Sequence, residues 1–151
     1  MDEVGSLNHS AIQANLAFLL KRLGIYSVCI NLTLDIGNVD TDKFDLMLSN
    51  EIQADVSLYP KRKIEPTNDI LKMTEMPLLA IEILAPQQGI YEILEKFKLY
   101  FALNIQSCWL VLPSTQTVTV YAAPDQFRTF GEGEVLDEVL NIHLPIAEIF
   151  E

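Results

Sequence analysis

The sequence predicts an α/β fold, a central mixed β-sheet flanked by helices, and three observations predict it. Apolar residues recur at helical spacing in 8–23 and again in 90–103. Between and after them lie short runs rich in Val, Ile, Leu and Tyr, of strand length and partly alternating. The second helix has crossover length and joins two such runs, so those two strands are expected to be parallel neighbours.

Each element has its own warrant. In "HSAIQANLAFLLKRLG" (9–24), Ile12, Leu16, Leu19, Leu20 and Leu23 make the apolar stripe, Ser10 or the preceding Asn8 offers a cap, and Gly24 stops the helix. "YSVCINLTLDI" (26–36) reads as one strand, closed by the polar turn "GNVDTD"; "KFDLMLS" (43–49) reads as a half-exposed second. "QADVSLYP" (53–60) alternates, with Gln53, Asp55, Ser57 and Tyr59 on one face, and Pro60 ends it. After a polar, proline-punctuated connection comes "LLAIEILAP" (78–86), then a helix over 90–103 with Ile90, Ile93, Leu94, Phe97 and Phe101 as its apolar stripe. "CWLVLP" and "TVTVYAA" form a hairpin around "STQ". The second of these is a candidate edge strand, and the tail from Asp125 offers one or two short strands more.

No repeat or second unit interrupts the 151 residues, so a single domain over 1–151 is expected. Half the residues are hydrophobic, which excludes a disordered chain. No apolar run approaches the ~20 residues that span a bilayer, and the acidic, polar "MDEVGSLNHS" is no secretory signal, so a cytoplasmic protein with no membrane partner is expected. Cys29 and Cys108 sit in strand-like runs without metal-ligand spacing and are expected to be reduced and buried. His9 and His143 lack any metal-binding spacing. The net charge of −11 makes a poor general DNA binder; "PKRK" (60–63) is the one basic cluster and could touch phosphate.

The chemistry concentrates on Glu82, a carboxylate inside an apolar strand. Removing it from water is costly unless it is paired, protonated or bound to a cation. If the strand carrying Asp55 lies beside it, the two acids can converge on one hard cation such as Mg²⁺, and a lysine on the following helix, Lys96, can stabilise developing negative charge. A plainer reading pairs Lys96 with Glu92 along the helix; Lys98 points to another side.

The succession "ADVSLYP", "LAIEILAP", "EILEKFKLYFALNIQSCWLVLP" and "TVTVY" resembles a bacterial restriction endonuclease family often carried as a domain of unknown function, within the PD-(D/E)XK nuclease superfamily. The resemblance spans roughly 9–150. It implies a restriction endonuclease-like fold, a Mg²⁺-dependent (or Mn²⁺-dependent) DNA endonuclease, and a homodimer. It assigns Asp55 and Glu82 as catalytic acids and metal ligands and Lys96, of the Lys-x-x-x-Tyr motif completed by Tyr100, as the catalytic lysine. Leu84 stands where many superfamily members carry that lysine on the strand. Ala54 replaces the proline usual before the first acid. Trp109 and Tyr100 are expected as core or dimer-contact aromatics. The alternative is a non-catalytic member of the same fold, acting as a regulatory or protein-interaction module. A basic rim around Asp55 would favour the enzyme, and acidity all round a protein partner.

Overall fold

The computed structural model describes residues 5–37, 39–40, 43–44, 46 and 50–151. Helix α1, Leu7–Arg22, starts earlier than its apolar stripe because Ser6 is the cap rather than Asn8 or Ser10; its hydroxyl accepts the His9 N–H at 3.3 Å. Lys21 and Arg22 complement the dipole in the last turn, and Gly24 leaves the helix at φ 79°, a conformation that costs glycine little.

The run 26–36 is not one strand. It divides into β1 (Tyr26–Ile30) and β2 (Thr33–Asp35), broken where Asn31 adopts φ 51°. The run 53–60 divides in the same way, into β3 (Glu51–Gln53) and β4 (Val56–Pro60), with Ala54 and Asp55 between them. The two breaks are one event. β1 pairs with β4 in the main sheet, β2 pairs with β3 in a separate ribbon, and the Asn31 N–H donates to the Asp55 carbonyl at 3.3 Å at the bend. The strand expected over 43–49 falls largely outside the described residues.

The main sheet has six strands in the order β1-β4-β5-β6-β7-β8. β5 (Leu79–Ile83) and β6 (Ser107–Leu112) are parallel, joined by helix α2 (Ile90–Ala102), as the crossover length predicts; the other pairings are antiparallel. β7 (Thr117–Ala123) lies inside the sheet, so the expectation of an edge there is corrected. The edge on that side is β8 (Gln126–Phe130), whose first four residues are exposed, so no alternation announced it. The tail then adds a hairpin, β9 (Glu134–Asp137) with β10 (Ile142–Pro145), and a short helix α3 (Ile146–Ile149).

Each face of the sheet is covered. On one, Leu79, Ile81 and Ile83 of β5 pack with Leu16 and Leu20 of α1, Trp109 of β6 and the β9–β10 hairpin. On the other, Ala80 of β5 packs with Ile93, Phe97 and Tyr100 of α2, with Leu34 of β2 and Ile52 of β3. Ile90, counted in the apolar stripe of α2, is instead exposed in its first turn. Both cysteines are free; Cys108 is buried but Cys29 is only half-buried. Among the described residues, no helix is long and apolar enough to cross a membrane.

One buried acid serves the fold alone. Asp137, fully buried, accepts the Ser107 hydroxyl at 2.5 Å, the Trp109 indole N–H at 2.8 Å and the Leu140 N–H at 3.0 Å, tying the β9–β10 hairpin to β6. Asp137→Ala orphans the Trp109 indole N–H and the Leu140 N–H and leaves the Ser107 hydroxyl only the Tyr121 carbonyl at 3.4 Å, each orphaned donor costing roughly 1–3 kcal/mol. Urea unfolding is expected to register a loss of about 3 kcal/mol or more, and Asp137→Asn, which keeps an acceptor, a smaller one.

Candidate functional site

The alternation of β5 fixes the side on which Glu82 lies. Ile81 and Ile83 enter the core under α1, so Glu82, like Ala80, faces α2 and is only 3% exposed. Two groups one turn apart on α2 meet it. Lys96 Nζ lies 3.0 Å from Glu82 Oε1, and the Tyr100 hydroxyl lies 2.9 Å from Glu82 Oε2. The i,i+4 spacing puts both on one helix face. Lys96 Nζ also donates to the Gln53 carbonyl at the end of β3, at 3.0 Å. It thus points into the sheet, while Lys98 pairs with Glu95 on α2 itself.

Asp55 arrives from the neighbouring strand. Val56 of β4 pairs with Ile81 of β5, and the chains run antiparallel, so the residue before Val56 stands beside the residue after Ile81. Asp55 therefore lies next to Glu82, though in the bend rather than on a strand as the alternation suggested. It is tightly held. Its Oδ2 accepts the Ile83 N–H at 2.6 Å, taking over where the β4–β5 ladder ends. Its carbonyl accepts the Gln13 amide of α1 at 2.8 Å in addition to the Asn31 N–H.

A fourth side chain completes the arrangement. His9 Nε2, from the first turn of α1, stands 3.2 Å from Asp55 Oδ2. Sequence reasoning set His9 aside because it sought two histidines at metal-binding spacing. The available signal was weaker, a polar residue in the first turn of a helix. Tyr100 was expected as a core or dimer aromatic; it is fully buried, but its hydroxyl belongs to the site. Trp109 is plain core. The basic cluster does not rim the site. Lys61–Lys63 follows Pro60 at the other end of β4, and Pro60 itself is already roughly 16 Å from Asp55 at the strand rise of about 3.3 Å per residue. There Arg62 is held on both carboxylate oxygens of Glu75 and over the Tyr59 ring.

The electrostatics follow from burial. Loss of hydration pushes the Glu82 carboxyl up from the ordinary carboxylate range to about 7; the Lys96 ammonium opposes the rise, the Asp55 charge adds to it, and the Tyr100 hydroxyl opposes it. Burial also drives the Tyr100 phenol upward, Glu82 adding to it, so the hydroxyl keeps its proton to donate. Among the described residues no three His, Cys, Asp or Glu side chains are grouped to hold a metal ion. The oxygen donors at hand are the two carboxylates and the Gln53 carbonyl, a hard set suited to a cation that keeps several waters.

The raised carboxyl sets a pH dependence with a definite sign. Folded protein binds the Glu82 proton more tightly than unfolded chain does, so this group's contribution to stability is lost as pH rises from the ordinary glutamate value to about 7. Glu82→Gln keeps an acceptor for Lys96 and removes the ionisation. Relative to wild type, its unfolding free energy is expected to gain on the order of 3 kcal/mol between pH 4 and pH 8, at 1.36 kcal/mol per pKa unit. Denaturant titrations at the two pH values measure it; a difference that does not change with pH contradicts it.

No curated protein matches the chain. Among solved structures it is similar to "a putative nuclease belonging to DUF820" from Anabaena variabilis ATCC 29413, with a TM-score of 0.75 and 22% sequence identity, covering 99% of this chain and 84% of that one. At that identity the likeness establishes the fold alone, helices on a central mixed sheet. The Uma2 family, described as "Putative restriction endonuclease", matches residues 1–147, almost the full length. The chain, with its fold and its sequence pointing the same way, belongs to the Uma2 family.

Proposed function

We propose that this protein is a metal-dependent endonuclease that hydrolyses phosphodiester bonds of DNA, with Asp55 and Glu82 as ligands of Mg²⁺ or Mn²⁺ and Lys96 as the catalytic cation. The observation that carries this reading is the two acids side by side, Asp55 in the bend before β4 and Glu82 on β5, with the Lys96 ammonium 3.0 Å from Glu82 Oε1. Membership of a family described as restriction endonucleases supports the same chemistry. The Asp55 and Glu82 carboxylates would hold the ion, with the Gln53 carbonyl as a third oxygen nearby. A bound Mg²⁺ supplies Lewis acidity toward a phosphoryl oxygen and a bound water of lowered pKa.

The rest falls to the chain. In the hydrolysis, a water oxygen bonds to phosphorus and gives up one proton to solvent, the bond to the leaving deoxyribose oxygen breaks, and that oxygen takes a proton from solvent. Lys96, 15% exposed at its side chain, faces the wet side of the pair and can stabilise the charge that gathers on the phosphoryl oxygens. The Ile83 N–H and His9 hold the Asp55 carboxylate in place, and Gln13 and Asn31 fix its backbone. Preorganisation of this kind puts the acids in position before a substrate arrives.

The charge distribution favours a second reading. The net charge is −11, and the one basic cluster of the sequence lies at the far end of β4 from Asp55. A non-catalytic member of the fold, docking a protein partner, accommodates that acidity better. Homodimerisation belongs to the nuclease proposal, because two sites cut two strands.

Supercoiled plasmid incubated with the protein separates the readings. Nicking or linearisation is expected with Mg²⁺ or Mn²⁺ and none with EDTA; intact plasmid with either metal favours the protein-docking reading. Lys96→Ala is expected to abolish cleavage while calorimetry still detects Mn²⁺, because both carboxylates remain, and removal of a nearby positive charge favours cation binding. Full activity of Lys96→Ala would make the lysine structural.

A further inference from the structure

Glu82 has two carboxylate oxygens, and the structure gives them unequal surroundings. Oε1 faces Lys96, whose side chain reaches solvent, whereas Oε2 faces the hydroxyl of Tyr100, which has no exposure at all. The Tyr100 hydroxyl also lies 3.4 Å from the Gln53 carbonyl, but one O–H donates one proton. The shorter contact to the ionised carboxylate, at 2.9 Å, is the stronger acceptor, and the Gln53 carbonyl is already served by Lys96 at 3.0 Å. The ring cannot swing away. It is packed in the core with Phe97, ring centroids 6.3 Å apart, and sits one helical turn from Lys96.

We infer that Tyr100 is a positioning residue of the cation site: its buried hydroxyl holds Glu82 Oε2 and so fixes the orientation in which Glu82 presents Oε1, the oxygen nearer solvent, to a divalent cation that displaces the Lys96 ammonium or shares that oxygen with it. The inference rests on the reading of Asp55 and Glu82 as cation ligands. Without the hydroxyl, a buried carboxylate in a cavity one oxygen larger loses its fixed torsion and one of the two bonds that favour its ionised form. Hydrogen-bond partners that orient a metal ligand typically contribute 10–100-fold to affinity or activity. Tyr100 touches neither substrate nor the reacting atoms in this arrangement; it acts through Glu82.

The test compares Tyr100→Phe with Tyr59→Phe. Tyr59 is equally buried, and its hydroxyl donates to the Glu75 carbonyl at 2.9 Å, away from the site. Calorimetric titration with Mn²⁺ is expected to give affinity about 10-fold weaker for Tyr100→Phe and unchanged within twofold for Tyr59→Phe. In a cleavage assay at saturating Mn²⁺, Tyr100→Phe should lower kcat with little change in KM for DNA. Equal Mn²⁺ affinity in wild type and Tyr100→Phe, equal weakening in both variants, or no Mn²⁺ binding by wild type would each overturn the inference. Loss of affinity in Tyr100→Phe alone, in a protein that cleaves no DNA, would sustain it while removing the nuclease reading. Should Tyr100→Phe not fold, wild-type protein carrying ¹³C at the tyrosine ζ carbons supplies the answer. Titration with Mg²⁺ is expected to move the Tyr100 resonance and leave that of Tyr59 in place, and an unmoved Tyr100 signal would overturn the inference.

Discussion

A carboxylate buried in the middle of an apolar strand is the constraint around which the site side of this fold is arranged. Glu82 faces α2 because its neighbours Ile81 and Ile83 fill the core on the other face. There it would be intolerable in isolation, since an uncompensated buried charge costs several kcal/mol. Helix α2 meets it with one cation and one hydroxyl at i,i+4 spacing, so the placement and rotation of the crossover helix are bound to the demands of that one side chain. The compensation is incomplete. Burial still pushes the carboxyl to about 7, so near neutral pH the group is balanced between its two protonation states. Acids tuned in this way are characteristic of functional sites.

The second acid is delivered by a different device, the shared bend of two long strands. β1 and β4 belong to the main sheet and β2 and β3 to a ribbon, and Asn31 and Asp55 sit together where one becomes the other. Because the ladder ends there, an N–H of β5 lacks a backbone partner, and the Asp55 side chain takes it. The same bond that satisfies the sheet also fixes the carboxylate beside Glu82. Helix α1 closes the arrangement through Gln13 and His9. Stability and site geometry here use the same hydrogen bonds, so substitutions at Gln13 or Asn31 act on both.

Much of this was legible in the sequence, for physical reasons that also explain the gaps. Glu82 announced itself because an acid among Leu, Ala and Ile has no ordinary explanation, and the parallel β5–β6 pair followed from the length of the crossover. The acids were adjacent as the strand reading required, but both long strands were read through their bend. Asn31 and the Ala54–Asp55 step break no alternation, and only a left-handed Asn, not a Gly or Pro, marks the first break. The one or two short strands expected in the tail are three, and β8 among them was not recognised as an edge because an exposed strand buries too little to alternate; its neighbour β7 was taken for the edge in its place. His9 and the Tyr100 hydroxyl depend on tertiary contacts 46 and 18 residues apart in the chain, and no local pattern carries such contacts.

The central claim is that Asp55 and Glu82 together hold one divalent cation. The most direct measurement is anomalous diffraction from a crystal soaked in Mn²⁺. The account predicts an anomalous peak within coordinating distance of both carboxylates, on the Oε1 side of Glu82, with the Lys96 ammonium displaced from or sharing that side. No peak there, or a peak bound by other acids with the Glu82–Lys96 bond intact, would contradict it.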